Sequence, residues 1–93
     1  MANITIIGAR MSYTKEDGYV GNVQFSAEGH DHEYEIALHS KRGSDWGYGL
    51  FFLNQSGNEE QLLALEDEIE ENDELFEVFI HAAQEKLVKE EEQ

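Results

Sequence analysis

The densest set of side chains able to do chemistry in this 93-residue chain is Gly29-His30-Asp31-His32-Glu33, with His39 seven positions beyond His32. Imidazole and carboxylate at this spacing are the donors of zinc and copper sites, so His30, His32 and Glu33 are the metal-ligand candidates. Strand alternation works against the set, because His39 should point to the opposite face from His32. Its ordinary reading is a polar, solvated hairpin tip. The loop holds no serine or cysteine that a histidine could activate, and no catalytic residue is assigned.

Two further sets point to binding. In Trp46-Gly47-Tyr48-Gly49, the aromatics share one face of a strand and the glycines leave the other bare. Phe51 and Leu53 continue that bare face. Glycine weakens a strand, and large apolar groups do not favour water. Gly47, Gly49, Phe51 and Leu53 are therefore expected to form a contact surface, most simply in a homodimer. Trp46 and Tyr48 either pack inward or line a small-molecule groove. The last set is acidic: Glu66, Asp67, Glu70, Glu71, Glu74 and Glu77. On one continuous helix 66/70, 67/71 and 70/74 would be like-charged neighbours, each costing a few tenths of a kcal/mol. An uncompensated acidic face can mimic a phosphate track or steer the chain onto a basic surface. Its ordinary reading is a solvated face that keeps the protein soluble.

Composition removes several classes of function. With 21 Asp+Glu against 6 Lys+Arg, the net charge of −15 argues against direct binding to nucleic acid or anionic lipid. The absence of cysteine excludes disulfides, thiolate metal sites and thiol catalysis, and favours the cytoplasm. No stretch reads as a signal peptide, and Leu50-Phe51-Phe52-Leu53 is far short of the ~20 residues of a membrane helix. No glycine-rich phosphate loop stands between a strand and a helix. Carboxylate pairs carry no information in so acidic a chain. No cofactor is expected.

The elements that must position these residues divide the chain in two. Residues 1–57 hold seven acids and four bases, residues 58–93 fourteen acids and two bases, and all eight glycines lie within residues 8–57. The first half therefore reads as strands and turns, the second as helix. Apolar or small residues alternate through 19–27, 34–38 and 46–52, each a strand with one buried face. In the first strand Ile4 and Ile6 are out of phase with Ala9, Met11 and Tyr13, which predicts a bulge at Ile7-Gly8. Facing Tyr13 with Gly21, Met11 with Val23 and Ala9 with Phe25 leaves the loop Glu16-Asp17-Gly18. Facing Leu38 with Trp46 and Ile36 with Tyr48 leaves Lys41-Arg42-Gly43. Both put glycine where a three-residue hairpin needs a left-handed residue. Facing Phe25 with Ile36 leaves a four-residue loop, Gly29 to His32.

In the second half Asn58 reads as a helix N-cap, with Gln61 as its capping-box partner and Glu59 and Glu60 in the first turn. Leu62, Leu65 and Ile69 share one face. Asn72-Asp73 reads as a break and a new cap. The second helix carries Leu75, Phe76, Phe79, Ile80, Ala83 and Leu87 as the stripe that lies on the sheet. The predicted fold is α+β: a four-stranded antiparallel meander followed by two C-terminal helices packed on one face. It forms one domain, with a β-sheet half at 1–55, an acidic helical half at 56–89 and a frayed tail at 90–93. A domain of this length buries only about 60–65% of its unfolded surface but can fold alone. No family is recognisable in these residues.

The expected function is non-catalytic. A small acidic protein of inhibitor, immunity or anti-restriction type would engage a basic or nucleic-acid-binding protein through its acidic helices or its glycine-bearing face. The alternative is a small-molecule or metal-binding domain using the His30/His32 hairpin or a groove near Trp46.

Overall fold

A computed structural model describes residues 3–53 and 57–89. Four strands come first, β1 (Ile4–Thr14), β2 (Gly18–Ala27), β3 (Tyr34–Ser40) and β4 (Gly47–Phe52). Two helices follow, α1 (Glu59–Glu71) and α2 (Asp73–Gln84), and then a short strand β5 (Leu87–Lys89). The first four strands form the expected antiparallel meander, and the whole sheet has the order β4-β3-β2-β1-β5. Ser56 and the tail at 90–93 lie outside the described residues.

Alternation sorts the side chains onto two faces. Met11, Val23, Phe25, Tyr34, Ile36, Leu38 and Leu50 are buried on the inner face. They pack against Leu65 and Ile69 of α1 and Leu75, Phe79, Ile80 and Ala83 of α2. Burying each large apolar side chain contributes about 1.5–3 kcal/mol. At the centre the Phe25 and Phe79 rings meet with centroids 4.6 Å apart. α2 lies against β1 and β2, and α1 lies against β4. The bulge stands where the phase slip places it: the β1–β2 register shifts between Ile6 and Gly8, and the extra residue, Ile7, is half exposed.

Three hairpin registers differ from the predicted ones, each by two residues. Met11 faces Gly21 and Ala9 faces Val23; Val23 faces Ile36 and Phe25 faces Tyr34; Leu38 faces Tyr48 and Ile36 faces Leu50. A two-residue slip keeps every side chain on its face, so the apolar pattern cannot choose between the alternatives. Cross-strand packing does. The observed register stacks Phe25 on Tyr34 at 5.6 Å and Tyr34 on Phe52 at 5.7 Å, an aromatic row across three strands. It also sets Tyr13 opposite Tyr19. Gly21 then leaves room for the Met11 side chain, whose Cε would lie 3.0 Å from a Cβ there. Gly18 and Gly43 have the left-handed conformation the turns require, with φ of 78° and 87°. Gly18 nevertheless opens the returning strand opposite Thr14 rather than closing the loop.

The break between the helices is Asn72, whose side-chain oxygen accepts from the Glu74 and Leu75 N–H groups at 3.1 and 3.2 Å. Asn58 caps α1 in the same way, from Glu60 and Gln61. Gln61 does not complete the capping box: its Oε1 accepts from the Asp31 backbone N–H at 3.1 Å, tying the β2–β3 loop to α1. Leu87 is not on the α2 stripe. After Gln84 the chain turns, and Leu87 pairs in parallel with Met11 at the β1 edge. The helical half therefore ends in a strand, because β1 offers unpaired backbone groups that a helix continued to Leu87 would leave open.

Candidate interaction surface

The acidic residues are carried on two helices rather than one. Because α1 stops at Glu71 and Asn72 is extended, Glu70 and Glu74 are not an i,i+4 pair, whereas 66/70 and 67/71 are. No lysine or arginine occurs in residues 59–84. Asp67, Glu70, Glu71, Glu74 and Glu77 are exposed and Glu66 is half-buried. Glu70 does a specific job at the β4 side: its Oε2 accepts the Tyr48 hydroxyl at 2.8 Å. Burial, this hydrogen bond to Glu70 and the nearby charges of Glu70, Glu66 and Asp67 raise the Tyr48 pKa well above the ordinary phenol value. Tyr48 also packs on Phe76 at 5.3 Å. Glu74 and Glu77 instead line an open groove of about 440 Å³ with Val78, His81, Ala82 and Glu85. Sequence reasoning missed this groove. Its signal is Val78, an apolar residue off the buried stripe and 46% exposed.

The outer face of β4 has two characters. Phe51 is 54% exposed, and its ring lies over Gly49, where a Cβ would come within 2.9 Å of the Phe51 Cζ. The bare backbone at Gly49 is thus covered by the chain's own ring rather than held open for a partner. Gly47 is open: a Cβ there would have only the His39 carbonyl oxygen near it, at 4.0 Å. Leu53 is half-buried, and its N–H donates to the Glu33 carbonyl at 3.0 Å. Trp46 and Tyr48 turn inward; Trp46 stands 6.0 Å from Tyr19.

The histidine loop does not converge. His30 Nδ1 bonds the Tyr34 hydroxyl at 2.8 Å, while the His32 ring meets the Phe52 ring edge-on at 6.5 Å. His32 Nδ1 is shut away from solvent, with no hydrogen-bond partner among the described residues. Glu33 is exposed, and His39 reaches the Asp17 carbonyl on the other face at 3.2 Å. Among the described residues no three His, Asp or Glu side chains are grouped to hold a metal. The tight fit at this loop is steric: a Cβ at Gly57 would come within 2.7 Å of His32 Nδ1, so the chain entering α1 needs glycine there.

Lys15, Lys41 and Arg42 lie in the hairpin loops of the sheet. Ser40, Lys41, Arg42, Ser44 and Asp45 surround a cleft of about 150 Å³, and Lys41 Nζ donates to the Glu16 carbonyl at 2.6 Å. Among the described residues no helix is long and apolar enough to cross a membrane. Compared with known proteins, the chain matches no family, no curated protein and no solved structure.

Proposed function

We propose that this protein is a cytoplasmic, non-catalytic binding protein whose acidic helical face engages a basic protein, of the kind that itself binds nucleic acid. An inhibitor, immunity or anti-restriction role fits that physics. The observation that supports the reading is the segregation of charge: α1 and α2 present Glu66, Asp67, Glu70, Glu71, Glu74 and Glu77 with no lysine or arginine between them. Such a surface attracts a basic patch over a Debye length, about 10 Å at 0.1 M salt, and raises the association rate. Nucleic acid itself is repelled by the same field.

The test is a basic nucleic-acid-binding protein captured from cell extract at low salt, then measured at equilibrium. Its affinity should fall steeply as salt rises to physiological strength. Converting Glu66, Glu70, Glu74 and Glu77 to glutamine should weaken it by about tenfold or more. An equal loss when Glu16, Asp17, Glu28 and Glu33 are neutralised instead would refute a role for the helical face as distinct from net charge.

A second copy of the chain is the other reading of the β4 outer face, supported by the exposed Phe51. Sedimentation of the wild type and of Phe51→Asp decides it: a monomer at high micromolar concentration removes the homodimer.

A further inference from the structure

β4 is the terminal strand of the sheet, and its outer edge is unpaired among the described strands. The β1 edge, by contrast, is occupied by β5 at Met11, Ser12 and Tyr13. Natural sheets guard a free edge with charge, proline, a bulge or a covering element. Gly47–Phe52 contains no charged residue and no proline, and its register with β3 runs unbroken from His39–Gly47 to Tyr34–Phe52.

The ladder identifies which backbone groups face outward. The Leu53 N–H donates to the Glu33 carbonyl, so that pair is a hydrogen-bonded one. Alternation then makes Phe51, Gly49 and Gly47 the residues bonded to β3, and turns the N–H and C=O of Tyr48, Leu50 and Phe52 away from the sheet. Among the described residues, none of the turn, loop or cap hydrogen bonds reaches them. Three donors and three acceptors, spaced two residues apart, fit only an extended strand.

Charge selects the strand. α1 lies against β4, and Glu70 and Glu66 stand beside Tyr48 on the inner side of this edge. Two copies pairing edge to edge about a twofold would set α1 beside α1, acids against acids, on one side of a continuous sheet. A basic segment would meet the same acids favourably. Resting on the acidic-face reading above, we infer that the β4 edge accepts an extended basic segment of the partner by strand addition. Its lysines or arginines alternate toward Glu66 and Glu70, and its intervening apolar residues lie beside Phe51 and Gly47.

The probe is an eight-residue peptide alternating lysine and valine, added at low salt to isotope-labelled protein, with amide exchange read by NMR. The Tyr48, Leu50 and Phe52 amides should exchange fast in the free protein and slow by roughly tenfold or more with peptide. The Gly49 and Phe51 amides, already bonded to β3, should not change. The same peptide N-methylated at every residue keeps its charge, but its methyl groups hold the two backbones apart and remove its donors, and it should give no protection. Gly47→Lys adds a guarding charge where there is open space and ordinary φ. It should weaken the basic peptide and admit a glutamate–valine one. Equal binding of both lysine peptides without protection at β4 overturns the edge and leaves the acidic-face reading standing. So does binding of the partner protein with no binding of either peptide. Tyr48, Leu50 and Phe52 amides already protected in a particle of twice the mass would assign the edge to a second copy and overturn the basic segment.

Discussion

Two glycines of like conformation and unlike surroundings give a measurement of how the hairpin tips hold each other. Gly18 and Gly29 both have positive φ, 78° and 86°. Placing alanine in that region costs about 1–2 kcal/mol, offset by about 0.4–1 kcal/mol from the stiffened unfolded chain. Gly29 has nothing within 4 Å of its missing Cβ, so Gly29→Ala should cost no more than about 1.6 kcal/mol. At Gly18 the Cβ would lie 2.7 Å from the Lys41 Cα and from the Ser40 carbonyl oxygen. Those are backbone atoms of the segment leaving β3, and they cannot rotate aside. Forcing them apart adds an overpacking cost of about 1–3 kcal/mol, for a total of about 1–4.6 kcal/mol. In a domain of this size 1 kcal/mol shifts the melting temperature by about 4–8 °C, so the added overpacking should make Gly18→Ala melt at least about 4 °C below Gly29→Ala. Gly43→Ala should fall between them, since its Cβ meets only the Tyr19 ring, at 3.1 Å. Urea unfolding followed by far-UV circular dichroism gives the three values. Equal destabilisation by Gly18→Ala and Gly29→Ala would refute the contact between the β1–β2 turn and the start of the β3–β4 loop.

Asn72→Ala should cost about 1 kcal/mol, since it strips the cap from the Glu74 and Leu75 amides; chemical unfolding checks it. The melting temperature should rise from low to moderate salt, because like charges crowd α1 and α2 and salt screens them; a flat or falling response contradicts this. Alkaline titration of phenolate absorbance should show two components above the ordinary phenol range: that of Tyr34, raised by burial, remains in Tyr48→Phe, while that of Tyr48 disappears there and moves down in Glu70→Gln. The folded state holds the Tyr48 proton more tightly than the unfolded one. Its contribution to stability is therefore complete below about pH 10 and is lost as pH rises toward the raised folded value. Unfolding of Tyr48→Phe should be less sensitive to pH above 10 than that of the wild type.

The candidate surface was legible unevenly. Glu66 to Glu77 are visible because charge needs no fold to be counted, and Phe51 because alternation puts it opposite Leu50 and Phe52. The groove at Val78 and the free edge of β4 were not. A groove is a relation between neighbouring turns of a helix and whatever leaves them uncovered. An edge is defined only once it is known which strand lacks a neighbour. The histidine loop misled in the opposite direction, since proximity in sequence says nothing of where rings turn: His30 goes to Tyr34 and His32 to Phe52.

The sequence alone determined the α+β class, the inner and outer faces of β1 to β4, the bulge at Ile7-Gly8, the left-handed glycines at 18 and 43 and the helix break at Asn72. These are local: a period of two, a turn conformation or a cap is set within a few residues, whatever the rest of the chain does. Tertiary structure alone decided the registers, the role of Gln61 and the fate of Leu87. A slip of two residues leaves every side chain on its face, and packing between strands, the row Phe25–Tyr34–Phe52 and the Tyr13–Tyr19 pair, selects among the alternatives. Gln61 could close its own cap or hold Asp31, and the approach of the β2–β3 loop settles it. Leu87 suits a helical stripe as well as a strand, and the open edge of β1, far earlier in the chain at Met11, makes it a strand. In each case the energy that decides lies in contacts between residues far apart in sequence.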